Sequence, residues 1–258
     1  MLIGPFKPTK STVEGSALRR TSRVVMVIAV LCCILDPLSA IGECIPPPSG
    51  LISHWPGNVD ARDVGGGNDG TLVNGAEVGV PGQVGGAFSF DGDNDFVDVA
   101  SHPDFDLTQS LTTEAWINLT ELKWDQKILS YYLPYEMGIF NDKLELVGQA
   151  DVIFRNAPGG TVLQINTWYH VVTTWDGETI TSYVNGALDR SVAFSDPLDA
   201  GTNNFSIGRA SNGGINFFGL IDEAALYDRA LTAGEVQEHY QRGLLHQEFC
   251  VFIDGFEN

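Results

Sequence analysis

Residues 168–186 read WYHVVTTWDGETITSYVNG, and the architecture is most readable here. Two runs rich in β-branched and aromatic residues, 168–175 and 179–184, are separated by Asp176-Gly177, and Asn185-Gly186 closes the second. Asp-Gly and Asn-Gly tolerate the positive φ that tight hairpin turns demand, so the pattern predicts antiparallel hairpins. Successive side chains of a strand face opposite sides, so Trp168, His170, Thr173 and Trp175 cannot all face one core. Trp175, next to the turn, is expected to pack inward.

Outward from this hairpin the same grammar repeats. Strand-like runs recur at GAFSF (86–90), DFVDVA (95–100), LTTEAWINL (111–119), KILSYY (127–132), YEMGIF (135–140), KLELVG (143–148), DVIFR (151–155) and FFGLIDEAALY (217–227). Many short strands with turn signals between them predict an all-β, two-sheet antiparallel β-sandwich rather than a parallel sheet. One short C-terminal helix is expected: Thr232 and Glu235 form a capping box ahead of Val236 and Tyr240, and Gly243 is placed to end it. There is no internal repeat of useful length.

The ends of the chain read differently. Arg19, Arg20 and Arg23 precede an apolar run from Val24 to Leu35 and the small pair Ser39-Ala40, the layout of a secretory signal peptide cleaved near Ala40. That apolar run is too short to span a bilayer, which takes roughly 20 residues. Residues 41–50 form a Pro-rich linker, 51–243 the folded domain and 244–258 a C-terminal tail. The whole chain carries a formal charge of −19. Without the signal segment it carries about −22, which disfavours nucleic acid and anionic lipid as partners. A secreted, periplasmic or cell-envelope location follows, with no transmembrane span in the mature chain. Cys32 and Cys33 leave with the signal. Cys44 and Cys250 remain, and two thiols in an oxidising compartment invite a disulfide.

Four stretches carry a family resemblance: GLISHWPGNVDARDVGGGNDGTLVNGAEV with GGAFSFDGDNDFVDV, then SLTTEAWIN, then NTWYHVVTTWDGETITSYVNGALD, then FFGLIDEAALYDRALTAGEVQEHY. In this order they resemble the LamG-like (laminin G-like) jelly-roll domains of the concanavalin A-like lectin/glucanase superfamily, over roughly residues 50–243. The resemblance implies a jelly-roll wiring that brings the chain ends together, which suits the Cys44–Cys250 pairing. It also implies one structural calcium ion, bound by the Gly92 carbonyl, Asp222 and Asp60. The acidic turn Asp91–Asp95 is not an EF-hand start, because Phe96 stands where that loop needs Gly and His102 where it needs Glu. Asp91, Asp93 and Asn94 are also ordinary turn formers.

Catalytic patterns are missing. The resemblance to laminarinase-type glucanases would require a Glu-x-Asp-x-x-Glu strand, and no Glu here is followed two residues later by Asp. Asp222-Glu223 are strand neighbours, expected on opposite faces. There is no Gly-x-Ser-x-Gly elbow and no His-Glu-x-x-His motif; His170 and His54 read as structural. Saccharides are recognised by aromatic platforms beside polar groups. Trp124 in KWDQ and Tyr132 in the run YYLPY are the candidate ligand contacts, both expected in loops. The expectation is an exported, non-catalytic binding module for a glycan or a cell-surface protein. A structural or adhesive surface module is the alternative, and a divergent polysaccharide hydrolase or lyase is less favoured.

Overall fold

The computed structural model describes residues 48–150 and 153–247. Cys44 and Cys250, the signal segment, most of the linker and the end of the tail lie outside the described residues. Two antiparallel sheets face each other. The first runs β13(Ala187–Ala193), β12(Thr179–Val184), β11(Trp168–Trp175), β6(Leu111–Leu119), β15(Phe218–Tyr227), β4(Gly86–Asp91), β3(Glu77–Pro81). β1(Leu51–Trp55) pairs with the second half of β15, beyond the residues that β4 engages. The second sheet runs β10(Ile153–Pro158), β9(Lys143–Ala150), β8(Tyr135–Phe140), β7(Asp125–Tyr131), β14(Phe205–Ile207), β5(Phe96–Val99), β2(Gly70–Val73).

The hairpin of β11 and β12 forms as its chemistry requires. Asn185 and Gly186 both take positive φ, 52° and 74°, and Asp176 Oδ1 accepts the N–H groups of Glu178 and Thr179 to close the first turn. Trp175 is buried between the sheets, as expected, edge-on to Phe194. Inward residues of both sheets interdigitate around Trp55, Phe105 and Phe205; the Trp55 and Phe205 rings stack at 5.4 Å. A core this rich in aromatic area supplies most of the driving force, since each buried ring removes 150–250 Å² or so from water.

The helix α1(Ala233–Leu244) lies on the outer face of the first sheet. Its capping box is complete: Thr232 accepts the Glu235 N–H and Glu235 accepts the Thr232 N–H. Gly243 does not end it. It lies in the last turn, where a Cβ would collide with the Trp116 ring, so close packing on β6 selects glycine there. Val236 buries with Val172, Ala225, Tyr227 and Leu231 in a small second cluster beneath the helix.

Candidate functional site

The turn Asp91–Asp95 between β4 and β5 is the hub of one end of the sandwich. Three other loops donate to its carbonyls: Lys123 Nζ to Gly92 at 2.5 Å, Asn216 Nδ2 to Asp93 at 2.5 Å and Asn74 Nδ2 to Asn94 at 2.6 Å. Two of its carboxylates accept backbone N–H groups. Asp91 Oδ1 accepts the Asp93 N–H, and Asp95 accepts the N–H groups of Gly75 and Asp91. These backbone bonds hold the Asp91 carboxyl below its ordinary range.

Beside this hub lies a cleft of about 400 Å³, lined among others by Glu77, Ser89, Asp91, Thr120, Phe218 and Leu220. The loop of residues 120–124 leads away from it, with only its first residue in the lining. Thr120 faces the cleft, Lys123 carries its ammonium 5.3 Å above the Phe218 ring, and Trp124 follows. Trp124 is 67% exposed, and it is the one aromatic among the exposed large apolar side chains described. It is not floppy. Its carbonyl accepts the Asn141 N–H at 3.0 Å, and its ring meets Phe140 edge-on at 4.8 Å.

Tyr132, the other expected ligand contact, sits at the far end of β7. That strand separates the two by roughly 25 Å at about 3.3 Å per residue, so they do not share a site. Its N–H donates to Ser211 Oγ and its carbonyl accepts from Asn203, which fixes the β7–β8 turn.

The three residues expected to hold calcium are not brought together. Gly92 offers its carbonyl to Lys123. Asp60 is tied to Arg62, through the backbone N–H and through Nε at 2.6 Å. Asp222 lies four residues along β15 from Phe218, the partner of the turn, and faces the 82–84 loop, where its Oδ2 accepts the Val84 N–H at 2.8 Å. Among the described residues no group of three or more His, Cys, Asp or Glu side chains is arranged to hold a metal ion. The donor set does not fit the ion that the resemblance implies.

Asp222 and Glu223 depart from the strand rule. A bulge between Asp222 and Ala225 inserts one residue, and Glu223 takes φ +51°. Ile221 and Ala224 both face the core, so the two acids between them share the outer face. Glu223 meets His54 Nε2 at 2.9 Å. Nearby, Glu114 accepts His170 Nε2 at 2.7 Å and His239 Nδ1 of α1 at 2.9 Å. Burial alone would raise the Glu114 pKa; the His239 charge and the two hydrogen bonds outweigh it and hold the carboxyl far below its usual range. Burial pushes Asp222 up to about 8, with the Glu223 charge adding to it. His170 and His54 are thus buried partners of carboxylates, in keeping with the structural reading.

On the outer face of the second sheet, Lys127 reaches Asp125 at 2.6 Å and Glu145 at 3.2 Å. Ser130 donates to Glu136 at 2.5 Å. Burial raises both Glu136 and Glu145 above the ordinary carboxyl range. These acids are nearly inaccessible, and nothing in the sequence pattern singled them out.

Residues 91–237, more than half of the chain, match the family model described as "Concanavalin A-like lectin/glucanases superfamily". No curated protein matches the sequence. Among solved structures, domain 4 of AbnA, a GH43 extracellular arabinanase from Geobacillus stearothermophilus in complex with arabinotriose, is 20% identical. It covers 73% of this chain and 97% of that one, with a TM-score of 0.58. The receptor-binding domain of the botulinum neurotoxin C/D mosaic serotype is 15% identical over 74% of this chain, with a TM-score of 0.59. A Trypanosoma rangeli sialidase in complex with the inhibitor DANA is 18% identical over 78% of this chain, with a TM-score of 0.59. The match spans 51% of the toxin domain and 34% of the sialidase. At these identities the likeness is one of fold.

Proposed function

We propose that this chain, which belongs to the concanavalin A-like lectin/glucanases superfamily, is an exported, non-catalytic module that recognises carbohydrate at the end of its sandwich around Trp124. The observation that carries this reading is the exposed Trp124 ring, braced edge-on by Phe140, on a loop whose first residue, Thr120, lines the 400 Å³ cleft. A rigid aromatic face stacks on the apolar side of a sugar ring at little entropic cost, and Glu77, Asp91, Ser89 and Thr120 stand ready to bond its hydroxyls. An arabinanase domain of the same fold, solved with arabinotriose, supports a saccharide as the ligand class. The acidic surface points to neutral or amine-bearing glycans rather than anionic ones.

The non-catalytic part rests on where the acids are. Glycoside cleavage takes two accessible carboxylates flanking one bond, roughly 5 Å apart or somewhat more. The buried carboxylates Glu114, Asp222, Glu136 and Glu145 are each engaged by His, backbone, Ser or Lys groups. The signal-like N-terminus supports export.

A glycan array on the mature protein tests the proposal. Binding of a saccharide class by the wild type, lost on Trp124→Ala, is the expected result; a blank array would overturn it. Release of reducing sugar from β-glucan or alginate would overturn the non-catalytic part alone.

A further inference from the structure

We infer that the Lys123 ammonium is the resident cation of the loop end, doing by a tethered charge what a bound divalent ion would otherwise do for the 91–95 turn. Independent features converge on this. The ammonium lies 2.5 Å from the Gly92 carbonyl and 5.3 Å over the Phe218 ring, so it is bonded below and stacked beside. Gly92 has φ +76°, and a Cβ there would come within 2.5 Å of both Lys123 Nζ and Phe218 Cβ. Glycine is therefore needed for the backbone turn and for the approach of the ammonium.

The oxygens around it are also spoken for. The Asp93 and Asn94 carbonyls accept side-chain N–H groups from Asn216 and Asn74, and Asp91 and Asp95 accept backbone N–H groups. A calcium ion takes six to eight oxygens; here N–H donors hold those oxygens in place. The Gly92 carbonyl of the turn meets the Lys123 ammonium, which brings a positive charge to the acidic turn from within the chain. This inference stands apart from the saccharide reading, because its test measures melting and not binding.

Thermal melting of the mature protein, with chelator and with millimolar calcium, decides it. The wild type is expected to melt at one temperature in both. Lys123→Met, which keeps most of the stem and loses the charge, is expected to melt about 4–8 °C lower, the shift a lost charge-assisted hydrogen bond gives in a domain of this size. Lys123→Arg should recover part of that loss. A wild-type melting point that falls with chelator or rises with calcium would overturn the inference. So would Lys123→Met melting with the wild type. The wild-type arm decides the matter even where a variant fails to fold.

Discussion

Lys127 on β7 reaches Glu145 on β9 by passing over β8, and Gly138 is the residue beneath the crossing. A Cβ at position 138 would come 2.9 Å from Lys127 Cδ and 2.5 Å from the Gln126 carbonyl. Gly138→Ala is expected to cost about 1–3 kcal/mol, the usual range for overpacking. Lys127→Met leaves Glu145 and Asp125 without their buried cation and should cost about 3–5 kcal/mol. The double variant should cost less than the sum, because both changes act on one crossing. Denaturant unfolding of the three proteins checks this, and a neutral Gly138→Ala would show the crossing to be loose.

Trp124→Ala should separate binding from stability. Its ring is mostly in water, so removing it should leave the melting temperature within about 2 °C. Saccharide affinity should fall at least about tenfold, as expected for loss of an aromatic platform. Titration calorimetry beside a thermal melt reads both. Equal losses in the two would make Trp124 a packing residue.

His239 on α1 and His54 on β1 give stability an alkaline limit. Burial would lower the pKa of His239, but Glu114's charge and hydrogen bond outweigh it and the value is raised; Glu223 does the same for His54. A raised histidine contributes fully below its ordinary value near 6.5 and loses that contribution as pH climbs through the folded value. Stability should therefore decline above about pH 6.5. His239→Gln should cost about 3 kcal/mol at pH 6, where Glu114 loses a buried charged partner, and less at pH 9. Unfolding free energies across pH 5.5–9 check this; a gap between wild type and variant that widens with pH would contradict it.

The helix cap sets the acid side. Arg229 is the main cause that lowers Glu235, to about 2, with the Thr232 bonds of the capping box assisting. A depressed carboxyl gives stability above its ordinary value near 4.5 and loses it as pH falls toward 2. Thr232→Ala should cost about 1 kcal/mol. Glu235→Gln should flatten the loss between pH 5 and pH 3, as read by melting at each pH.

Cys44 and Cys250 can be tested directly. Five residue steps separate Cys44 from Ser49 and three separate Gln247 from Cys250, a reach of about 17 and 10 Å. Arg229 Nε holds the Ser49 carbonyl at the start of the α1 approach, and the 12-residue helix then covers about 18 Å. On these chain lengths we propose a Cys44–Cys250 bond. Unreduced mass spectrometry of the exported protein should show no free thiol, and reduction should lower the melting temperature.

Strands with strong alternation were legible almost to the residue: 111–119, 135–140, 168–175 and 179–184 stand where the pattern put them. β1, β2, β3, β13 and β14 went unmarked. They are short or lie at sheet edges, where one face meets water and little apolar signal is demanded. Gly243 was read as a helix stop because local rules know φ preferences and not the Trp116 ring against which it packs.

The site divides along the same line. The antiparallel sandwich and its capped terminal helix are readable from residue order, because hairpin turns, period-two runs and capping boxes are local chemistry. Residue order also marks Trp124 as a loop aromatic. Long-range packing is what puts Trp124 and Tyr132 at opposite ends of one strand, sets Asp222 and Glu223 on one face, and brings Lys123 to the Gly92 carbonyl. Each of these depends on strand register, on a single bulged residue, or on a side chain reaching across from another loop. Such long-range pairings are set by how distant segments meet, and no local pattern encodes where they do.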